Sequence, residues 1–292
     1  MERSVTNSPT EPASAILDDF DSRPGSATSL IRTVLGAYVR DFGGSVVIAD
    51  FVELMRAVGV PPESTRIAVT RLKKKGVLVP RVRDGRGVYE VTEQAEGMFA
   101  RGDRRIFTFR QMREGDPWRL ISFTIPESQR AARYQLRRRL GWIGCGTVSP
   151  GLWIAPEYLA REIAGVVDAL GLSEFVTTFL TTSLFVPGSM GDAAARWWDL
   201  EALAARHREF LEHHQWRLDA GEDVSPREAF VRFVPLLDEW RIIPYVDPGL
   251  PTAMLPDNWP GSDSVRLFAS ARDRYLAPSR GWARSIQGGV LT

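Results

Sequence analysis

Cysteine and histidine are scarce in this chain of 292 residues, which has one cysteine, Cys145, and three histidines, His207, His213 and His214. A single cysteine excludes an internal disulfide and a cysteine-rich zinc site. Glu209 and His213 have the i, i+4 spacing of a metal pair, but the sequence offers no third ligand. We therefore expect no metal site, an inert buried thiol and a polar helix face that carries the histidines.

Long apolar runs and an excess of charge are also missing. No run approaches the roughly 20 apolar residues that a membrane-spanning helix needs, and the N-terminus lacks the pattern of a signal peptide. The chain holds 37 Lys and Arg against 36 Asp and Glu, a net charge of +1. The missing apolar runs predict a cytoplasmic protein without a membrane partner. The balanced charge excludes a protein that binds nucleic acid through a basic surface all around it.

Positive charge is instead concentrated in one segment. Residues 28–110 contain 15 Lys and Arg against 9 Asp and Glu, so this segment carries +6 and the remainder carries −5. A nearly neutral chain with one basic module is typical of a nucleic-acid binder with attached sensing or assembly domains. The length and the 44% hydrophobic content predict two or three such domains.

The basic segment has the pattern of a winged helix-turn-helix between Ser29 and Thr92. Two apolar-periodic helices, SLIRTVLGAYVRDF and ADFVELMRAVG, are separated by Gly43-Gly44. A third helix, ESTRIAVTRLKKKG, follows a Pro61-Pro62 turn, and an Asp84-Gly85 turn predicts a basic hairpin behind it. This order of elements predicts a domain, residues 28–110, whose third helix enters the major groove of DNA.

The third helix and the hairpin supply the predicted DNA-contacting residues. Ala68, Val69 and Leu72 form an apolar stripe, and the opposite side is basic. Arg suits guanine, and Thr can contact a base or a thymine methyl. The predicted contacts are Ser64, Thr65, Arg66, Thr70, Arg71, Lys73 and Lys74 on the helix, and Arg81, Arg83 and Arg86 on the hairpin. An ordinary solvated basic face is the alternative.

The middle of the chain predicts a βαββαβ order. WRLISFTI, WIGCGTV, LWIAP and EFVTTFLTTSLF read as strands, with helices at 127–140 and 157–170. This order indicates a ferredoxin-like sandwich over residues 115–190, and its edge strands suit dimerisation. Its first helix is rich in arginine, which could pair with acidic neighbours, with DNA phosphates or with the phosphates of a ligand.

The last third, residues 191–292, predicts a helical domain for effector binding or assembly. A long helix is expected over 193–220, a second from Pro226 to about Trp240 and a third over 264–278. Between the last two lies a Pro-rich irregular segment. At the other end of the chain, residues 1–27 are rich in Ser, Thr, Pro and Asp, which predicts a disordered tail. The fold class is therefore α+β.

Several strings resemble the PaaX family of bacterial transcriptional repressors, the regulators of phenylacetic acid catabolism. They are SLIRTVLGAYV, STRIAVTRLKKKGVL, WRLISFTIPESQRAARYQLRRRLGWIGCGTVSPGLWIAP and EWRIIPYVDPGLPTAMLPDNWPG. The resemblance covers residues 29–278. It implies a winged helix, a ferredoxin-like middle domain similar to a nuclease of CRISPR adaptation, and a helical C-terminal domain.

The resemblance also implies a nucleoid-associated homodimer that binds a double-stranded operator and is released by an aryl-acyl-CoA such as phenylacetyl-CoA. No cofactor is implied beyond this effector. Phosphates of CoA need basic partners and an aryl group needs an apolar, aromatic-lined pocket. The candidate effector residues are Arg133, Arg137, Trp197, Trp198, Trp240 and Arg241.

The sequence departs from the related nuclease at the end of the first middle-domain strand. The nuclease holds a metal there through an aspartate, whereas this chain has Phe123, Thr124 and Ile125. We therefore expect no enzyme activity. The alternatives are a metal-dependent nuclease and a winged-helix protein-interaction module that never touches DNA.

Overall fold

The computed structural model describes residues 23–83, 85–216 and 224–288. Most of the predicted tail, Asp84 of the hairpin turn and the end of the helix expected at 193–220 lie outside these described residues. The fold is α+β, with two small antiparallel sheets among many helices. This fold class confirms the sequence prediction.

The winged helix begins with α1, Ala27–Val34, which continues through a π turn, Leu35–Val39, and a 3-10 turn, Arg40–Phe42. Gly43 ends this helical run at φ +89°, as the glycine pair predicts. The following elements are β1 Ser45–Val47, α2 Ile48–Ala57, α3 Pro62–Lys74, β2 Leu78–Arg83, β3 Arg86–Val91 and α4 Glu93–Ile106. The three predicted helices and the hairpin are all present.

Two elements of this region were not predicted. Strand β1 has three residues and pairs antiparallel with β3, so the hairpin becomes a sheet of order β1-β3-β2. Helix α4 starts after Thr92, whose Oγ1 accepts a hydrogen bond from Ala95 N–H at 3.2 Å. Strand β1 is too short to show an alternating pattern in the sequence. Helix α4 could have been predicted, because Thr92 is a residue type that favours the N-cap position of a helix.

The middle region is a ferredoxin-like sandwich, as predicted. Its elements are β4 Trp118–Phe123, α5 Arg130–Trp142, β5 Gly146–Ser149, β6 Leu152–Pro156, α6 Ala160–Ala169 and β7 Val176–Thr181. The strands pair antiparallel in the order β5-β6-β4-β7. Leu136 and Leu140 of α5 and Ile163 of α6 share one apolar core with the sheet. The opposite face of the sheet packs against C-terminal residues that include Trp198 and Leu250.

The second strand of this sheet begins later than predicted. Trp142 is the last residue of α5, and Gly144, at φ +90°, ends the helix. Cys145 N–H donates to Leu140 O at 3.0 Å, so this residue belongs to the turn and not to the strand. Cys145 is nevertheless buried, as predicted.

The C-terminal region consists of α7 Met190–Trp197, α8 Leu200–His214, α9 Pro226–Trp240, α10 Ile243–Val246 and α11 Gly261–Gly288. The prediction of one continuous helix from residue 193 was wrong. Trp198 is extended, at φ −122° and ψ 147°, and the Asp199 side chain caps α8 by accepting from Ala202 N–H at 3.0 Å. The last helix is also longer than predicted, because it continues through Pro278 while Tyr275 and Ala283 anchor it in the core.

The winged helix and the C-terminal helices share one hydrophobic core. Leu35 and Tyr38 at the start of the chain pack in the same cluster as Phe230 and Trp240 of α9. The Tyr38 and Phe230 rings meet edge to face, with their centroids 5.0 Å apart. The first and last thirds of the chain therefore form one packed unit, and the sandwich is the region inserted between them.

Arg105 of α4 ties all three regions together. Its buried guanidinium donates to Ile143 O beside the sandwich at 3.3 Å, and to Pro244 O and Tyr245 O of α10 at 2.6 and 3.2 Å. Because these carbonyls belong to different regions, this one side chain fixes their relative placement.

Candidate nucleic-acid interface

Helix α3 is held in the winged helix through the predicted apolar stripe. Ala68, Val69 and Leu72 are at most 2% exposed. Pro62 occupies the first turn, and Gly76, at φ +71°, ends the helix as an αL residue. These contacts fix which side of α3 faces solvent.

The solvent-facing side of α3 presents most of the predicted contacts. Arg66, Thr70, Arg71, Lys73 and Lys74 are exposed, and Ser64 is half-buried. None of the ion pairs among the described residues involves Arg66, Arg71, Lys73 or Lys74. The four charges are therefore not neutralised by the described acidic surface of the protein.

Thr65 corrects the prediction for this helix. It is fully buried, and its Oγ1 donates to Pro61 O at 3.1 Å. The side chain lies one position before Arg66, on the packed side of the first turn. It therefore stabilises the start of α3 and does not present its hydroxyl to a groove.

The hairpin places further basic residues beside α3. Arg81, Arg83 and Arg86 are exposed near its tip, and Arg83 and Arg86 are paired opposite each other. Gly85 has the positive φ, +74°, that the tight turn requires. The Lys73 ammonium lies 5.9 Å from the centre of the Tyr89 ring of β3, so α3 and the wing touch through a cation–π contact.

Two acidic residues near the wing have basic neighbours. Glu90 pairs with Arg83 at 3.2 Å. Burial raises the pKa of Asp50 on α2, the Glu53 charge raises it further, and Arg86 opposes both.

Two apolar residues of this surface were missed by the sequence analysis. Ile67 on α3 is 55% exposed, and Val82 at the hairpin tip is 76% exposed. Apolar side chains can contact a thymine methyl in the major groove. The exposure of Ile67 could have been predicted from the sequence, because Ile67 is next to Arg66 and lies outside the apolar stripe.

The structure does not bring the six candidate effector residues together. Trp240 is buried and stacked on Phe268, with centroids 4.5 Å apart, and Arg241 pairs with Asp238 at 3.2 Å. These two residues lie where α9 meets the winged helix.

The other four candidates lie around the sandwich. Trp198 donates from Nε1 to Gly144 O at 2.9 Å, and Trp197 meets it edge to face. On α5, Arg133 pairs with Glu127 at 2.7 Å and Arg137 donates to Pro150 O at 2.6 Å.

A cleft opens beside Arg241, at the junction of the winged helix with the C-terminal helices. It encloses about 460 Å³, including its open mouth. One wall is aromatic and consists of Phe99 of α4 and Phe107, which follows that helix. The other walls carry polar groups, namely Thr33 of α1, Arg241 at the end of α9 and Tyr245 of α10. The cleft thus combines an aromatic wall with a guanidinium, and elements of both regions form it.

The structure also brings together a serine, a histidine and an aspartate that their sequence spacing did not reveal. His207 Nδ1 lies 2.5 Å from Ser264 Oγ, and Nε2 lies 2.8 Å from Asp247 Oδ2. Catalytic triads join the serine to Nε2 and the aspartate to Nδ1, which is the opposite order. His207 and Ser264 are fully buried, so the cluster connects α8, the residue after α10 and α11, and neither the imidazole nor the hydroxyl is open to solvent.

The expectation of a polar helix face for the histidines was therefore wrong for His207 and for His214, which is 3% exposed. His214 and the exposed His213 both pair with Glu239, at 2.9 and 3.0 Å. Across residues 23–83, 85–216 and 224–288, no group of three or more His, Cys, Asp or Glu side chains could hold a metal ion.

Among the helices of the described residues, none combines the length and apolar character that crossing a bilayer demands.

Comparison with known proteins gives matches along most of the chain. The family "PaaX-like protein" matches residues 26–95, "PaaX protein central Cas2-like domain" matches 112–192, and "PaaX-like protein C-terminal domain" matches 198–285. The Transcriptional repressor PaaX of Escherichia coli (strain K12) is 25% identical over 267 residues, which cover 88% of this chain and 82% of that protein.

A solved structure has the same architecture. The uncharacterized protein Rv0674 from Mycobacterium tuberculosis superposes with a TM-score of 0.56 at 21% identity, over 86% of this chain and 97% of that one. At this identity the likeness concerns the fold alone. The three consecutive family matches, the winged helix, the inserted sandwich and the C-terminal helices together identify the chain as a member of the PaaX family.

Proposed function

We propose that this protein is a dimeric, sequence-specific DNA-binding transcriptional repressor of the bacterial cytoplasm that an aryl-acyl-CoA releases from its operator. The observation that carries the DNA-binding part is the outer side of α3, where Arg66, Arg71, Lys73 and Lys74 are exposed and unpaired by the described acidic residues. The name of the Escherichia coli relative, a transcriptional repressor, supports the same role.

The two basic elements would contribute in different ways. Helix α3 would lie in the major groove, where Arg66 can form a bidentate hydrogen bond with guanine and Ile67 can contact a thymine methyl. Lys73 and Lys74, near the C-terminal end of α3, would contact phosphates. Arg81 and Arg83 of the wing would do the same beside the groove. Base contacts give specificity, whereas phosphate contacts give register and salt-dependent affinity.

The cleft beside Arg241 supports the effector part of the proposal. Phe99 and Phe107 offer an apolar wall for an aryl group, whereas the guanidinium of Arg241 beside them is already paired with Asp238. Because the cleft lies between the winged helix and the C-terminal helices, a ligand that fits it better in one arrangement than in another would shift the two DNA-reading surfaces of a dimer. An effector acts through such unequal affinity for two states. Arg133 and Arg137 remain candidates for the phosphates of CoA.

DNA binding is tested by selecting sequences from random duplexes and measuring affinity for the selected operator at several salt concentrations. Log affinity should fall linearly with log salt, and the slope should lose about 0.9 for each phosphate contact removed. Lys73→Gln with Lys74→Gln should reduce the slope for every sequence. Arg66→Ala should cost about 1–3 kcal/mol and relax specificity at one base pair.

Arg266→Ala is the matched control, because Arg266 is exposed and paired with Asp263 on α11, outside the winged helix. It should leave affinity and slope unchanged. A selected operator that binds Arg66→Ala and the double lysine variant as tightly as the wild type would contradict the assignment of α3.

Effector release is tested separately, by comparing the melting temperature and operator affinity with phenylacetyl-CoA, free CoA and phenylacetate. The thioester alone should raise the melting temperature and weaken operator binding. Phe99→Ala should reduce both effects. A thioester that stabilises the protein but leaves its DNA affinity unchanged would contradict gating.

A further inference from the structure

A second cleft lies at the start of α11, apart from the cleft proposed for the effector. It encloses about 500 Å³, including its open mouth, and small-molecule sites have volumes of about 300–1,000 Å³. Its lining includes the buried residues Asp247, Gly249 and Gly261 and the exposed residues Gln111 and Ser262. Among the described residues, the two clefts have none of their lining in common. The second cleft is therefore a separate candidate site.

The Pro-rich irregular segment between α10 and α11 builds much of this cleft. It supplies four of the nine lining residues, namely Asp247, Gly249, Leu255 and Trp259. Met112 N–H donates to Gly249 O at 2.7 Å, and Gln111 Nε2 donates to Leu250 O at 3.2 Å. These hydrogen bonds hold an irregular backbone around an open space. Long irregular segments inside a compact fold are usually functional, and the proposed function gives this one no role.

The ionisable group of the lining is acidic. Asp247 is 5% exposed, and its oxygens accept from His207 Nε2 at 2.8 Å and from Gly249 N–H at 2.7 Å. A carboxylate offers about four acceptor positions, so about two remain for a further donor. The described lining contains no lysine or arginine. An anionic ligand would therefore meet this carboxylate without a basic side chain to offset it, whereas an ammonium would gain a charge-assisted hydrogen bond.

The rest of the lining is largely apolar and aromatic. Phe109 and Trp259 are half-buried, as are Leu255 and Val265. The Trp259 indole lies against Gly261, because a Cβ atom at residue 261 would collide with it. The ring is thereby held in place. An ammonium is attracted to the face of an aromatic ring, and tryptophan attracts it most strongly.

We propose that this cleft binds a small organic cation, a primary amine attached to an aryl or short alkyl body. The ammonium donates to the Asp247 carboxylate, and the body lies against the rings of Phe109 and Trp259. The carboxylate selects the charge of the ligand, and the apolar walls select its body. This ligand has the opposite charge to a CoA thioester, so the site goes beyond the proposed function.

The charge preference is tested by calorimetric titration of the full chain without DNA. The probes are 2-phenylethylamine, 2-phenylethanol and 3-phenylpropionate, which share one ring and differ in the charge at the end of the chain. The amine should bind one molecule per protomer. The alcohol should bind at least about ten-fold more weakly, because it lacks the charge-assisted hydrogen bond, and the anion should not bind. Equal affinity for amine and alcohol, or no binding of the amine, would overturn the proposal.

Carboxyl substitutions test the role of Asp247. Asp247→Asn should weaken amine binding at least about ten-fold and reduce the preference over the alcohol. Asp263→Asn is the matched control, because Asp263 is exposed in the same turn of α11 but is paired with Arg266 and does not line the cleft. It should bind the amine as the wild type does. Equal amine affinity of the two variants would contradict the assignment of Asp247.

A blocking substitution tests the location without removing a buried group. Ser262 is exposed at the cleft, so Ser262→Trp should fold normally and abolish amine binding. Ser285→Trp is the matched control, because Ser285 is exposed near the other end of the same helix, and it should bind normally. Wild-type affinity of Ser262→Trp for the amine would overturn the proposal even if Asp247→Asn failed to fold.

The same variants separate this inference from the proposed function. Phe99→Ala should leave amine binding unchanged, and Ser262→Trp should leave the response to the thioester unchanged. A protein that binds the amine but has no specific operator would contradict DNA binding alone. A protein that binds its operator and the thioester but not the amine would contradict this site alone.

Discussion

The carboxylate of Asp238 on α9 accepts a hydrogen bond from the Ser29 hydroxyl on α1 at 2.8 Å, across 209 positions of the sequence. The same buried carboxylate accepts from Thr33 Oγ1 at 2.7 Å and from Arg241 Nε at 3.2 Å. One aspartate thus satisfies donors from the first and the last third of the chain.

Removing this carboxylate should destabilise the whole winged-helix unit. Asp238→Ala removes the buried carboxylate that pairs with Arg241, and breaking a buried pair in this way costs about 3–5 kcal/mol. Urea denaturation followed by circular dichroism measures the loss. The control is Asp263→Ala, whose exposed pair with Arg266 should contribute less than about 1 kcal/mol. Equal effects of the two substitutions would contradict the role given to Asp238.

Thr65 and Thr70 allow a matched test of which side of α3 faces DNA. Each hydroxyl donates to the carbonyl four residues earlier, but Thr65 is buried and Thr70 is exposed. Thr65→Val should leave operator affinity unchanged and cost about 0.5–1.5 kcal/mol of folding stability, the value of one hydrogen bond. Thr70→Val should change operator affinity or specificity with little effect on folding. The reverse result would mean that α3 is rotated in the complex.

Cys145 should report on unfolding. Burial raises the pKa of its thiol far above the ordinary range, and the nearby Arg105 charge offsets this only in part. Because the folded-state pKa is the higher one, this thiol contributes stability that is complete below the unfolded pKa of about 8.5 and declines as pH rises above it.

Burial of Cys145 also keeps reagents from its thiol. Ellman's reagent should react with it only at the rate of unfolding. Rapid reaction of the native protein at pH 8 would contradict this placement.

Gly146 should be irreplaceable because of Trp198. A Cβ atom at residue 146 would lie 2.5 Å from Trp198 Cε2, so Gly146→Ala should displace the indole and cost about 1–3 kcal/mol by overpacking. Gly165→Ala is the control, since a Cβ there meets no other atom within 4 Å. It lies inside α6 and should stabilise the protein by about 0.5–1 kcal/mol. Thermal denaturation of both variants should give shifts of opposite sign.

The elements that the sequence predicted well are those whose signals are local. Helix α3 follows from an apolar stripe bounded by Pro62 and Gly76, and the strand order of the sandwich follows from alternating apolar runs. The basic surface was visible for the same reason, since side chains on the outer face of one helix recur at fixed spacing.

The features that escaped prediction depend on contacts between distant residues. Trp198 interrupts an apparently continuous helix because its indole packs against Gly146, 52 positions earlier. The sequence predicted that His207 lies on a polar helix face, whereas in the structure it is buried and hydrogen-bonded to Ser264 and Asp247. Helix α11 passes Pro278 because the shared core holds both sides of it. The spacing of residues within one helix or strand cannot show which distant residues it will contact in the fold.

The shared core also has a consequence for synthesis. Because the winged helix shares one core cluster with residues as late as Phe230 and Ala283, it lacks 14 of the 33 buried residues of that cluster until nearly the entire polypeptide has left the ribosome. If the chain binds an operator as proposed, we expect fragments from a message cut short within the last third to bind it poorly, so that incomplete copies would not compete with finished ones.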